Sequence, residues 1–189
     1  MKRLIVGISG ASGAVYGVRL LEVLRAVPDV ETHCVISVGA ALTIRLETGR
    51  EPGEVEALAD VAHDHRDLAA SISSGSFPVL GMAVAPCSMK TLAQIALSLG
   101  DNLLSRAADV TLKERRKLVV VPRETPLHLG HLRHMTAIAE MGGVILPPAP
   151  AFYHGPKEIM DIVDQTVGKI LDQFGIGNDL FSRWSGRGS

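Results

Sequence analysis

The chain has 189 residues, room for one domain with a sizeable core and too few for two ordinary ones. Hydrophobic residues make up 47% and charged residues 21%, which excludes a disordered chain. Nineteen Lys plus Arg against 20 Asp plus Glu leave a formal charge of −1, which gives no footing for nucleic acid or an anionic membrane as partner.

Arg3 to Ile8 reads as a β-branched strand running into Gly7-Ile8-Ser9-Gly10-Ala11-Ser12-Gly13. Apolar residues then recur at Val15, Val18, Leu21 and Leu24 with helical spacing. Thr32 to Ser37 is a second strand and Ala40 to Glu47 a helix. Residues 48 to 78 are less regular, with turns at Pro52-Gly53 and through the serine run at 71–76. Val79 to Ala85 is expected as a third strand stopped by Pro86, followed by helices over Ser88–Ser98 and Asn102–Arg116. A fourth strand at Lys117–Val121 leads to a long helix over Thr125–Met141, with Thr125-Pro126 as cap and first turn. A short fifth strand covers Val144–Leu146, and a last helix Pro156–Phe174. Residues 1–185 read as one domain, and Gly186 to Ser189 as a fraying tail.

Strand followed by helix, repeated, predicts an α/β fold: a single doubly wound, mostly parallel sheet with helices on both faces. Ligands of such sheets bind beyond the carboxyl ends of the strands. The longest weakly polar stretch, Phe77 to Cys87, holds Pro78 and Pro86 and is about half of a bilayer span. The first strand is too short for a secretory leader. Cys34 and Cys87 lie in apolar contexts and read as reduced, buried thiols of a cytoplasmic protein.

Five segments carry chemistry. Glycines 7, 10 and 13 allow a tight turn, and the helix after them offers N–H groups to an anion, with Ser12 adding a hydroxyl. The spacing is not the dinucleotide pattern, and Ser37 stands where an NAD site has an acidic residue, so a mononucleotide phosphate fits better. Pro86-Cys87-Ser88-Met89-Lys90-Thr91 presents hydroxyls and a helix start at the same sheet edge, and Cys87 reads as a structural thiol rather than a nucleophile. Arg123-Glu124 follows a buried strand, where the guanidinium suits phosphate oxygens and the carboxylate can orient it or move a proton. His128, His131 and His134 share helical spacing but lack matching Cys or acidic ligands, so no metal site is expected. Pro147 to His154 is a rigid loop that sets Phe152 and Tyr153 where they cover a planar ligand or plug the core.

In this order and spacing, the segments Gly7–Gly13, Pro86–Leu92, Arg106–Val110, Leu112–Arg116, Val121–Leu127, Pro150–Tyr153 and Arg183-Trp184 closely resemble the flavin prenyltransferase (UbiX-type) family from Lys2 to about Trp184. The resemblance implies a flavodoxin-like subunit of a homododecamer with a shared active site. It implies metal-independent transfer of a dimethylallyl group from dimethylallyl monophosphate to N5 and C6 of reduced FMN. The prenylated FMN then serves a UbiD-type decarboxylase, typically in ubiquinone biosynthesis.

By the same resemblance, Gly10, Ala11, Ser12, Ser37, Ser88, Met89, Lys90, Thr91 and Arg123 match the flavin site, and Tyr153 and Lys169 the prenyl-phosphate site. Arg106, Lys113 and Glu124 match residues around that phosphate, some of them from neighbouring subunits, and Glu47 and Trp184 line the family's site. Ser12, Glu47, Lys113 and Glu124 are the catalytic candidates. Position 169 is often Arg in the family; Lys keeps the charge and loses the fork. The rival readings are an FMN-dependent cysteine decarboxylase of the same fold and a non-catalytic flavin carrier, with an NAD-linked oxidoreductase disfavoured by Ser37.

Overall fold

The computed structural model describes residues 2–186, so all but Gly186 of the expected tail at 186–189 lies outside the described residues. Six parallel strands form one sheet: β1 (Lys2–Ile8), β2 (Val30–Ile36), β3 (Val61–His63), β4 (Gly81–Cys87), β5 (Lys117–Pro122) and β6 (Val144–Ile145). Their spatial order is β3-β2-β1-β4-β5-β6. Without edge strand β3, this is the five-strand order of flavodoxin-like sheets. The helices are α1 (Ala14–Leu24), α2 (Val38–Thr48), α3 (Pro52–Glu56), α4 (Met89–Ala96), α5 (Leu103–Lys113), α6 (Leu129–Glu140) and α7 (Ile159–Gln173).

A parallel sheet buries both faces, and successive strand residues alternate between them. On β1, Leu4, Val6 and Ile8 enter one core with Val18 and Leu21 of α1 and Val167, Ile170 and Leu171 of α7. Ile5 enters the other, with Met82, Val84, Leu104 of α5 and Ile138 of α6. The order reverses between β1 and β4, because β1 pairs with β2 on one side and β4 on the other. That is the switch point at which open α/β sheets form a crevice.

Four expectations are corrected. β3 falls in the stretch expected to be irregular; it has only three residues, Val61 and His63 partly buried and Ala62 exposed, too few to announce a strand. Pro86 does not stop the strand: the register shifts between Val84 and Cys87, and the Pro86 carbonyl accepts from the Ser9 N–H at 3.1 Å. The long helix starts at Leu129, not Thr125, because Arg123 still donates its N–H to the Cys87 carbonyl at 3.1 Å and the cap is His128, whose Nδ1 accepts from Gly130 N–H. The last helix starts at Ile159, where a reciprocal Glu158–Asp161 capping box closes its first turn.

Candidate active site

The carboxyl ends of β1, β2, β4 and β5 are laced by short bonds. Ser37 N–H donates to the Ile8 carbonyl at 3.0 Å, and Arg123 N–H to Cys87. Ser9, fully buried, donates from its hydroxyl to the Pro86 carbonyl at 3.1 Å and accepts from Ser88 N–H at 2.7 Å. The sequence reading passed over Ser9, although its place inside the glycine run was the available signal.

A crevice of about 550 Å³ opens over these ends, lined by Gly10, Ser37, Gly39, Ser88, Lys90 and Glu124 among others. Three helices begin on its wall. Ser37 caps α2 by accepting from Ala40 N–H at 3.2 Å, Ser88 caps α4 from Thr91 N–H at 3.3 Å, and Asn102 caps α5 from Ser105 N–H at 3.0 Å. Each start carries a partial positive charge, so the crevice suits an anion such as a phosphate ester.

The expectation that α1 would offer its start to that anion is corrected. The Glu47 carboxylate, reaching across from the end of α2, accepts from Gly13 N–H at 2.8 Å and Ala14 N–H at 2.9 Å. Gly13 takes φ 100°, a left-handed conformation that glycine adopts at no steric cost. The helix starts that line the crevice are those of α2, α4 and α5, the last of which no motif pointed to. His65, Gln94, Asp101 and Asn102 line it too and were missed, because each stands outside the glycine-rich turn and the strand ends that were searched for ligand groups.

Gly10 and Gly39 form a cradle. A Cβ on Gly10 would stand 2.8 Å from Gly39 Cα and 2.9 Å from its carbonyl carbon. The close approach leaves backbone rather than side chain facing the crevice. A flat ring and a phosphate fit a wall of glycine backbone, hydroxyls and helix starts, so the donor set suits a flavin mononucleotide.

Of the expected residues, Ala11, Ser12, Glu47 and Arg123 are not among those that line the crevice, although Gly10 and Glu124 beside them are, and the remainder fall into two further groups. Tyr153 and Trp184 meet edge to face with ring centroids 6.3 Å apart, both exposed. Lys169 lies 3.7 Å from Asp172, whose carboxylate the Arg183 guanidinium grips at 2.7 and 2.9 Å. The Arg183 hydrogen bonds hold the Asp172 carboxyl below its ordinary range. On α5, Arg106 bonds the Ser73 carbonyl at 3.2 Å and Asp109 at 3.0 Å, and Lys113 pairs with Glu114, lowering that carboxyl's pKa. Lys113 ends the helix whose cap is in the crevice, about 16 Å along the axis at 1.5 Å per residue. Neither group lines the crevice of its own chain.

Cys87 and Cys34 are free and buried, and burial pushes the Cys34 thiol up to about 12 and that of Cys87 higher still. Burial that keeps both thiols protonated makes them poor nucleophiles. His128 and His131 place their ring centroids 3.6 Å apart.

The chain matches the family described as "Flavoprotein" over residues 1–171. It is 65% identical over 188 residues to flavin prenyltransferase UbiX of Escherichia coli K12, covering 98% of this chain and 100% of that one. The chain belongs to the flavin prenyltransferase family. Two solved structures of similar proteins superpose with a TM-score of 0.96 each. One is a dodecameric FMN-dependent UbiX-like decarboxylase from Escherichia coli O157:H7, 54% identical, covering 97% of this chain and 100% of that one. The other is AnUbiX (PadA1) in complex with FMN and dimethylallyl pyrophosphate, 51% identical and covering 98% of each chain. Of the segments that carry the flavin prenyltransferase resemblance, three reach the crevice, through Gly10, through Ser88 to Thr91 and through Glu124, while Ser37, Gly39 and Asp101 on its wall lie outside them.

Proposed function

We propose that this protein transfers a dimethylallyl group from dimethylallyl monophosphate to reduced FMN, giving prenylated FMN. The convergence of three helix starts and a glycine cradle on one crevice carries the reading, in a chain alike over its whole length to proteins named for this activity. Reduced FMN supplies an electron-rich ring whose N5 and C6 accept the five-carbon group and close a fourth ring.

Gly10, Ala11, Ser12, Ser37, Ser88, Met89, Lys90, Thr91 and Arg123 hold the flavin, with the N–H groups of the helix starts taking its phosphate. Arg106, Lys113, Lys169 and the Tyr153 hydroxyl surround the ester of the prenyl donor. A monophosphate leaves only when its growing charge is met by fixed cations in a site closed to water. Trp184 adds a π face to the positive allylic fragment. Ser12 hydrogen-bonds beside N5. The proton lost from C6 needs a base, and Glu124 is the better placed, because it lines the crevice and Glu47 does not; its Oε1 accepts from Thr125 N–H at 3.0 Å. The Glu47 carboxylate instead closes the start of α1 through its Oε2.

The reading makes the protein a homododecamer with sites completed by neighbouring copies. Val38, Leu42 and Leu46, one face of α2, are 63%, 57% and 75% exposed, and their row starts at the crevice. Such contiguous apolar surface marks an interface between proteins. Residues 1–185 form one flavoprotein domain in the cytoplasm, where buried free thiols stay reduced. The product passes to a UbiD-type decarboxylase, in bacteria typically that of ubiquinone biosynthesis.

The test is direct. Protein incubated without oxygen with reduced FMN and dimethylallyl monophosphate yields an extracted flavin heavier by one C5H8 unit. Unmodified FMN as the sole flavin recovered overturns the reading.

A further inference from the structure

Part of the crevice wall belongs to no motif. Asp101 stands just before the cap of α5 and lines the cavity. Its Oδ1 accepts three hydrogen bonds: from Gln94 Nε2 at 2.7 Å, Asn102 Nδ2 at 3.0 Å and the Ser105 hydroxyl at 3.4 Å. Gln94 is only 8% exposed, so one of these donors is fixed by packing. All three bonds end on the same oxygen. Oδ2 has no hydrogen-bond partner among the described residues, and Asp101 is exposed where it borders the crevice. The side chain is thus held by one oxygen and presents the other.

A carboxylate at that place is a poor neighbour for a second anion and a strong acceptor for hydroxyl or N–H donors. With a phosphate ester at the starts of α2 and α4, away from this carboxylate, the next groups along a flavin mononucleotide are the hydroxyls of its ribityl chain. Dinucleotide folds take their sugar hydroxyls with an acidic residue after the second strand, and here that place holds Ser37. Asp101 supplies the missing acceptor from the start of α5. We propose that Asp101 Oδ2 binds the ribityl hydroxyls of the flavin, with Gln94 as the residue that positions it. The proposal rests on the flavin reading above and deepens it.

The test titrates apo protein, by fluorescence quenching, with FMN, riboflavin and lumiflavin. Riboflavin lacks the phosphate; lumiflavin also lacks the ribityl chain but keeps the ring with its N3–H. Asp101→Ala is expected to weaken FMN and riboflavin alike, by about tenfold or more for a lost hydrogen bond to a charged group, and to leave lumiflavin unchanged. Gln94→Leu is expected to repeat the pattern more weakly, and Asp101→Asn, which keeps the shape, to lie between. Unchanged riboflavin affinity in Asp101→Ala overturns the proposal. An equal loss for lumiflavin overturns it too, by moving the contact to the ring. Wild-type protein that takes up none of the three overturns the flavin reading and this proposal together.

Discussion

One carbon atom at Gly10 separates a working crevice from a blocked one. The cradle leaves 2.8 Å between a Cβ there and Gly39 Cα, and both neighbours are backbone that no rotamer change can move aside. Gly10→Ala is therefore expected to push the first loop off the start of α2. Overpacking of this kind costs about 1–3 kcal/mol. Thermal melting should show a drop of that order and flavin titration a loss of at least about tenfold, since the displaced backbone is the binding surface. At this scale the sequence was informative where a residue has one physical use. Three glycines before a helix announced a tight turn, and Ser88 stood at the start of an apolar period. It was silent where the use depends on a partner far along the chain. Nothing local says that Glu47 would close α1, 33 and 34 residues away, or that Ser9 would clasp Pro86 and Ser88.

The element hardest to read, β3, holds a group that ties stability to pH. His63 on β3 bonds His33 on β2, with Nε2 and Nδ1 2.9 Å apart, and His33 in turn bonds Glu31 at 2.8 Å, which Arg3 of β1 meets at 3.0 Å. Phe77 packs edge-on against His33, and Asp67 acts on His63 from the following loop. Burial first, and the charge of His33 second, hold the His63 pKa below its ordinary 6.5. The folded chain thus resists a proton that the unfolded chain accepts. Below about pH 6.5 the unfolded state binds more protons, so stability falls with falling pH. Urea midpoints taken between about pH 7.5 and about pH 5.5 should drop less for His63→Gln than for the wild type. An equal drop would place the acid sensitivity elsewhere. β3 escaped notice because three residues, none fully buried, are too few to carry a pattern, whereas β1, β4 and β5 are buried almost throughout and announce themselves as apolar runs. The starts of α6 and α7 slipped by three or four residues for a related reason: a cap is chosen by hydrogen bonds, here from His128 and from the Glu158–Asp161 pair.

Across the whole molecule, the residues read as one site lie in three places on one chain. Glu124 borders the crevice, while Lys113 stands at the far end of α5, about 16 Å along a helix whose rise is 1.5 Å per residue. A lysine side chain cannot bridge that gap, so a site using both draws Lys113 from another copy. The resemblance carried this expectation, and no spacing in the sequence could, because symmetry between chains leaves no mark on local pattern. The consequence is measurable. Lys113→Ala and Glu124→Gln are each expected to keep flavin and lose turnover, since each removes one component of every site. When the two inactive proteins are dissociated, mixed in equal amounts and reassembled, some sites receive an intact Glu124 from one chain and an intact Lys113 from another. For random assembly of a site built by two chains, each intact half arrives with probability one half, so about a quarter of wild-type activity returns. Mass spectrometry of the flavin product measures it. A mixture as inactive as its parents would put Lys113 and Glu124 to work within the same chain or leave one of them out of the reaction.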